Sequence, residues 1–280
     1  MALKVAVINM KGGVGKSTLC VNLAWFFSAM RTWTKRILVV DLDPQFNASQ
    51  YSLGVSRYQS EIINGGSPTI WDIFEQQSRA PGLRASNRSL TDAIKRIVTF
   101  QSGSYVDLLP SQLELSFTLK NPSQKEHLLS NFINDVEDKY DLIIVDCAPT
   151  ESVLTIAAYL TADSILIPVK PEFLSTIGLP LIRQSLSDFE RSFRKKVNVT
   201  GIAFNMCSDY APEEDTSKLE VRNLAATLGW HVFDEEVPYS RSFPRGAREG
   251  SPIFRTAYAR TNVASETADF CNAFANRIGL

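Results

Sequence analysis

Residues 5–20 read VAVINMKGGVGKSTLC, and the reading of this stretch decides the fold. The apolar run from Val5 to Ile8 has the composition of a buried strand, while Leu19, Val21, Leu23, Ala24, Phe26 and Phe27 recur at helical spacing. Between them stands Lys11-Gly12-Gly13-Val14-Gly15-Lys16-Ser17-Thr18. Glycines without a Cβ let successive backbone N–H groups turn inward on an anion, and the helix that follows adds its unpaired N-terminal donors and dipole. In such a loop Lys16 meets the β- and γ-phosphates of a nucleotide as a point charge, and the Ser17 hydroxyl is placed to bind Mg²⁺. A glycine-rich turn without function would not require strand, loop, two lysines, serine and helix in this order.

The usual phosphate-loop pattern has a glycine five positions before the Gly-Lys pair, where this chain has Met10, followed by Lys11. With that departure, KGGVGKST resembles the deviant phosphate-loop motif of the ParA/MinD family of ATPases. The resemblance implies that Lys11 reaches the nucleotide of a partner subunit. It implies ATP and Mg²⁺ as cofactors, with Lys11, Gly12, Gly13, Val14, Gly15, Lys16, Ser17 and Thr18 as nucleotide-binding residues.

The chain has 280 residues, 44% hydrophobic and 21% charged, enough for a sizeable core, and a single domain over residues 1–280 is expected. A formal net charge of −1 gives no support for a generally basic, nucleic-acid-coating protein, so any DNA contact must be a local patch. No uninterrupted apolar run reaches the roughly 18 residues of a membrane span, and no signal-peptide pattern precedes the first strand. A cytoplasmic protein is expected. Cys20, Cys147, Cys207 and Cys271 are far apart with no CxxC pair, which argues against a zinc site and a disulfide framework. Cys147 adjoins an aspartate of interest, yet no second cysteine is spaced for an iron–sulfur cluster like that of nitrogenase iron proteins, so a small buried thiol is expected.

Arg36 to Val40 (RILVV) reads as a second strand of the fully buried, parallel-sheet type, delivering Asp41-Leu42-Asp43-Pro44-Gln45 to the carboxyl edge where ligands bind in open α/β folds. Two acids at i and i+2 on a strand end project to one side. VDLDPQ resembles the family's switch segment, which implies that Asp43 orients the attacking water and that Asp41 supports the metal shell. Residues 51–104 carry less information. A short helix over Ile70 to Gln76 and another over Leu90 to Val98 are predicted, inside a variable surface insertion at about 56–104 where partner choice would lie.

Tyr105 to Leu109 restores the strand pattern, Lys125 to Glu137 has helical spacing, and Asp141 to Val145 is another buried strand ending at Asp146-Cys147-Ala148-Pro149-Thr150. An apolar run ending in aspartate at that edge is the second metal-side acid of phosphate-loop enzymes, here Asp146. Strands are predicted over Ser164 to Val169, Val197 to Met206 and Val232 to Val237. VKPEFLSTIGLPLI at Val169 to Ile182 resembles the family segment near the dimer face, with Lys170 and Glu172 able to cross it or to form a solvated turn. The resemblance further implies that Asn205 reads the adenine edge and that Pro238 and Pro252 line the adenine. The residues between Ser240 and Arg248 are offset by one from the family pattern. Asn262 to Ile278 is predicted as a closing helix. With Arg277, Glu266 and Asp269 it lacks a basic face beside its apolar one, so it reads as docked on the core and not as a membrane anchor.

The fold implied is a three-layer, doubly wound α/β domain with a mostly parallel sheet, a phosphate-loop NTPase of the SIMIBI type. The function implied is a slow MgATPase switch of the ParA kind, which forms a homodimer on ATP, binds double-stranded DNA without sequence preference and positions plasmid, chromosome or other cargo. A ParB-like or cargo-adaptor protein would stimulate hydrolysis, and the protein would be associated with the nucleoid. Little chain precedes Val5, so the resemblance is to compact members without an operator-reading domain. Candidate phosphate contacts are Arg191, Arg194, Lys195 and Lys196, with Arg222, Arg245 and Arg248 in addition. Three other readings share the motifs: a positioning ATPase for non-DNA cargo, a membrane-surface switch of the MinD kind, and an ATP-dependent ligase or synthase.

Overall fold

A computed structural model describes residues 1–76, 89–172, 175–208, 212–256 and 258–280. Among the described residues, eight strands form one sheet: β1 (Leu3–Val7), β2 (Arg36–Leu42), β3 (Lys95–Thr99), β4 (Tyr105–Leu109), β5 (Leu142–Cys147), β6 (Ser164–Val169), β7 (Asn198–Cys207) and β8 (Val237–Pro238). Their order is β3-β4-β2-β5-β1-β6-β7-β8, and every pairing except β3 with β4 is parallel. Val, Ile and Leu dominate the central strands because both faces are covered, as parallel crossovers require.

Two cores lie on the two faces. One holds α1 (Lys16–Ala29), α2 (Asn47–Leu53), α3 (Val55–Tyr58), α9 (Ser242–Glu249) and α10 (Thr261–Ile278) against residues such as Val5, Val7, Ile37 and Val39. The other packs α4 (Ile70–Phe74), α5 (Leu128–Val136), α6 (Val153–Thr161), α7 (Gly178–Phe193) and α8 (Pro212–Leu228) on Ala6, Leu38, Val40 and Ile143. This is the three-layer, mostly parallel α/β arrangement read from the sequence.

Helix α1 is buried on nearly every side, from Lys16 to Ser28. Its Phe27 ring stacks on Phe274 of α10 at 6.2 Å, and its Phe26 meets Phe254 at 5.3 Å. Burying each such ring stabilises the fold by about 1.5–3 kcal/mol, so α10 is fastened to the layer that carries the loop after β1. The closing helix therefore docks on the core, and Gly279 ends it in the left-handed conformation.

Two sequence expectations require correction. Leu90 to Val98 is not one helix: a 3-10 turn over Leu90–Ala93 passes into the edge strand β3. Ile94, Ile97, Val98 and Thr99 are β-branched, and pairing with β4 across a bulge between Arg96 and Val98 outweighs the helical spacing. The last strand is shorter than Val232 to Val237. Val232 makes only a bridge to Ile202, a bend at Asp234-Glu235 intervenes, and pairing resumes at Val237–Pro238. The offset segment after Pro238 folds as α9. Of the predicted insertion, residues 77–88 lie outside the described residues.

Candidate active site

The loop between β1 and α1 is shaped from outside itself. Asn9, to which sequence reasoning gave no role, donates its side-chain amide to the Pro168 carbonyl at 2.8 Å, and its Oδ1 accepts the Lys11 N–H at 2.9 Å. Gly13 and Gly15 sit at φ +75° and +82°, a conformation that favours glycine, and a Cβ on Gly12 or Gly13 would meet nothing within 4 Å. The loop thus frames open space on the side of Gly12 and Gly13. Gly15 differs, since a Cβ there would stand 2.4 Å from Nδ2 of Asn205, which donates to the Val14 carbonyl at 2.7 Å. Asn205 therefore holds the back of the loop.

Lys16 is only 7% exposed, its ammonium donating to the Asn9 and Lys11 carbonyls, each at 3.1 Å. Burial pulls its pKa below the ordinary lysine value, with the Asp146 carboxylate opposing that shift. Asp146 is 0% exposed and its Oδ2 has no hydrogen-bond partner, while its Oδ1 accepts weakly from the Cys20 thiol at 3.8 Å. Burial first, and then the Asp41 charge, push its pKa well above the carboxylate range, with a Ser17 hydrogen bond acting in the other direction. A buried, unsatisfied carboxylate oxygen costs about 1–3 kcal/mol, which a cation would recover. With Ser17 alongside, these donors fit Mg²⁺. Among the described residues no three His, Cys, Asp or Glu side chains converge as a self-sufficient metal site, so the shell would need phosphate oxygens and water.

Asp41 and Asp146 are register partners on β2 and β5. Asp41 is fully engaged: Oδ2 accepts from the Ser49 N–H at 2.7 Å and the Ser49 hydroxyl at 2.6 Å, and Oδ1 accepts the Asp43 N–H at 3.2 Å. Its burial raises the pKa to about 7, the Ser49 bonds working against that rise. Asp43 lies at the same edge, with Oδ1 accepting the Gln45 N–H at 2.9 Å. The turn then passes through Phe46 in the left-handed region, φ 47° and ψ 33°, at a cost of about 1–2 kcal/mol for a residue with a Cβ.

Lys11 points elsewhere. Its ammonium pairs with Glu172, which also binds Lys170 at 3.0 Å, and both members of the first pair are partly exposed. These hydrogen bonds hold the Glu172 carboxyl below its usual range, Lys11 contributing most. Thr18, in the first turn of α1, gives its carbonyl to Asn22 at 2.7 Å. Asn22 also donates to the Tyr51 hydroxyl at 3.1 Å and accepts the Ile253 N–H at 2.7 Å. That side chain, which no motif marked, ties Pro252-Ile253 to the loop's helix. Pro238 lines a separate pocket of about 430 Å³ together with Cys207, Tyr239, Arg241 and Tyr258.

The basic candidates fall into two groups. Residues 191–196 connect the end of α7 to the start of β7, at the sheet edge opposite the phosphate loop. There Arg191 pairs with Asp188, whereas Lys195 donates to the carbonyls of Tyr159, Leu160 and Ala162 at 3.0, 2.6 and 3.0 Å, closing the C-terminus of α6. Arg222 pairs with Asp234 at 3.3 Å, and Arg245 with Glu249 at 3.4 Å while covering the Tyr258 ring at 3.5 Å. Among the described residues Arg194, Lys196 and Arg248 are in no ion pair.

Strand, glycine cradle, buried lysine and paired acids at one sheet edge define a phosphate-loop NTPase. Residues 2–199 match the AAA_31 family, described as an AAA domain, and the chain belongs to that family, within the ParA/MinD ATPases. It is 24% identical over 254 residues to the chromosome partitioning protein ParA of Caulobacter vibrioides, covering 89% of this chain and 85% of that one. It is 26% identical over 254 residues to the chromosome-partitioning ATPase Soj of Treponema pallidum, covering 90% and 89%. The ATP complex of a Cyanothece McdA variant superposes with a TM-score of 0.78 at 16% identity, covering 100% of this chain and 97% of that one. Cobyrinic acid a,c-diamide synthase of Mycobacterium smegmatis, with an ATP analogue and magnesium, gives 0.74 at 20% identity over 99% and 95%. These two likenesses are of fold. No helix among the described residues is long and apolar enough to cross a membrane.

Proposed function

We propose that the chain is a nucleotide-gated switch in which MgATP joins two copies face to face and slow hydrolysis releases them. The observation that carries this reading is the division of labour between two lysines of one loop. Lys16 is buried against its own loop's carbonyls, while Lys11 lies outward, held by Glu172 and serving no group of its own cradle. A cation so placed suits a phosphate brought by a second subunit. In the reaction, Lys16 neutralises β- and γ-phosphate oxygens, Asp43 orients the attacking water, and Lys11 of the second copy stabilises charge developing on the transferred group. Mg²⁺, held through Ser17 and Asp146, with Asp41 behind them, would supply charge neutralisation at the bridging oxygens. The proton of the attacking water leaves with the departing products.

The nucleotide base would lie between Asn205, Pro238 and Pro252, which requires Asn205 to exchange its bond to Val14 for one to the adenine. The dimer would bind double-stranded DNA through exposed cations without ion pairs, Arg194 and Lys196 at one edge and Arg248 near the other, with Arg191, Arg222 and Arg245 available on breaking surface pairs. A ParB-like or cargo-adaptor protein would accelerate hydrolysis, giving a cytoplasmic, nucleoid-associated positioning system. The relatives' partition roles support this reading. The likeness to an amide synthase is one of fold and favours no acceptor chemistry. The test is binding of a non-specific duplex across a salt series, with and without MgATP. Binding that requires ATP and falls steeply with salt is expected; an ATP-bound dimer indifferent to DNA would move the proposal to non-DNA cargo.

A further inference from the structure

Phe46 occupies a conformation that favours glycine, immediately after the segment carrying Asp43, and its ring lies on another ring. The Phe46 and Tyr58 rings stack with centroids 5.2 Å apart and planes within 6° of parallel. Following the hydrogen bonds from that stack gives a closed circuit. The Phe46 N–H donates to the Asp43 carbonyl at 2.8 Å, and the Asp43 N–H donates to Asp41 Oδ1 at 3.2 Å. On the other side the Tyr58 hydroxyl donates to the Ser111 carbonyl at 3.0 Å, and the Ser111 N–H donates to Ser49 Oγ at 2.8 Å. Ser49 closes the loop on Asp41 Oδ2 at 2.6 Å. Every link is a hydrogen bond or a ring contact, and the left-handed residue is the one the stack secures.

From this geometry we infer that Phe46 and Tyr58 form a positioning clamp that fixes the turn bearing Asp43, so that the pair sets the rate of ATP hydrolysis without setting nucleotide affinity. Without the stack, a residue with a Cβ has reason to leave the left-handed region, and the turn bearing the Asp43 carboxylate moves with it. The hydrogen bonds and ring contact of the pair run to Asp43, Ser111 and each other, not to the glycine cradle or Lys16, so the clamp is expected to leave the cradle's grip on phosphate unchanged. Tyr58 comes from α3, within the stretch whose sequence carried least information. The inference rests on the proposed role of Asp43 in hydrolysis.

Two readouts on the full chain separate the clamp from that role. Hydrogen exchange over residues 43–50 in the nucleotide-free protein reads the clamp directly: Tyr58→Leu and Phe46→Ala should each speed exchange there at least ten-fold, and Tyr58→Phe, which keeps the stack, should restore most of the protection. MgATP turnover reads its consequence, with kcat falling about ten- to a hundred-fold in both ring variants while KM and fluorescent-ATP affinity stay within about two-fold. The double variant should be no slower than the slower single one, because both remove the same contact. Unchanged exchange in Tyr58→Leu overturns the clamp. Faster exchange with unchanged kcat overturns its effect on rate. Turnover that Asp43→Ala leaves untouched would strike the role of Asp43 and the effect on rate, while the exchange result still judges the clamp by itself.

Discussion

The two edges of the sheet treat charge in opposite ways. At the carboxyl edge a carboxylate oxygen of Asp146 is buried without a partner, and the buried Lys16 donates its hydrogen bonds to backbone carbonyls with Asp146 as a nearby charge. At the opposite edge the basic residues of 191–196 are divided: Arg191 has its Asp188 and all three N–H donors of Lys195 are spent on the end of α6, while Arg194 and Lys196 are in no ion pair among the described residues. A folded chain leaves a buried charge unsatisfied only where something else completes it, whereas basic residues in a row say little until their partners are known. The first edge is built for a ligand, and the second holds surface cations of mixed purpose.

The largest expected effect falls on the first edge. Lys16→Ala should lower kcat/KM for ATP on the order of 10³-fold, measured by phosphate release. Asp146→Asn should separate stability from function: the nucleotide-free chain gains about 1–3 kcal/mol in chemical denaturation, since a buried charge is removed, while Mg²⁺-dependent hydrolysis collapses. A loss of stability in that variant would mean that the bonds from Ser17 and Cys20 outweigh the cost of the buried carboxylate.

On the second edge, Lys195→Ala should cost about 1–2 kcal/mol by uncovering three carbonyls, with DNA affinity unchanged in the folded protein. Arg194→Ala should do the reverse, leaving stability alone and reducing the salt slope of DNA binding by about one. If Lys195→Ala weakens DNA binding as well, the division between edges fails. The smallest effect concerns the β2–β5 entrance, where Arg36 donates to Asp141 twice from its guanidinium and once from its backbone N–H, lowering its pKa from 3.8. An acid depressed in the folded state adds stability above its unfolded pKa and loses it as pH falls through the folded one. Asp141→Asn should thus destabilise the chain slightly at neutral pH, and its difference from the unaltered chain should close as pH falls below the ordinary aspartate value and through the depressed folded one.

Much of this was legible in the sequence because it lay in local order. The central strands announced themselves as apolar runs, two of them, β2 and β5, ending in acids, and the glycine loop needed only its own residues. What escaped depended on distant partners. Asn9 and Asn22 are ordinary letters until Pro168 and Ile253 come beside them. Lys195 looked like its basic neighbours because nothing nearby in sequence marks the α6 carbonyls. The apolar spacing of Leu90 to Val98 suited a helix, and only an edge of β4 awaiting a partner turned Lys95–Thr99 into a strand. Phe46 carried no signal by itself, since its significance is a backbone angle.

Size-exclusion light scattering of the Asp43→Ala chain with MgATP, set against the same chain also carrying Lys11→Ala, tests the central claim most directly. The account predicts a dimer that needs ATP and that the second substitution weakens or abolishes. A monomer indifferent to nucleotide, or a dimer that forms equally well without Lys11, would contradict it.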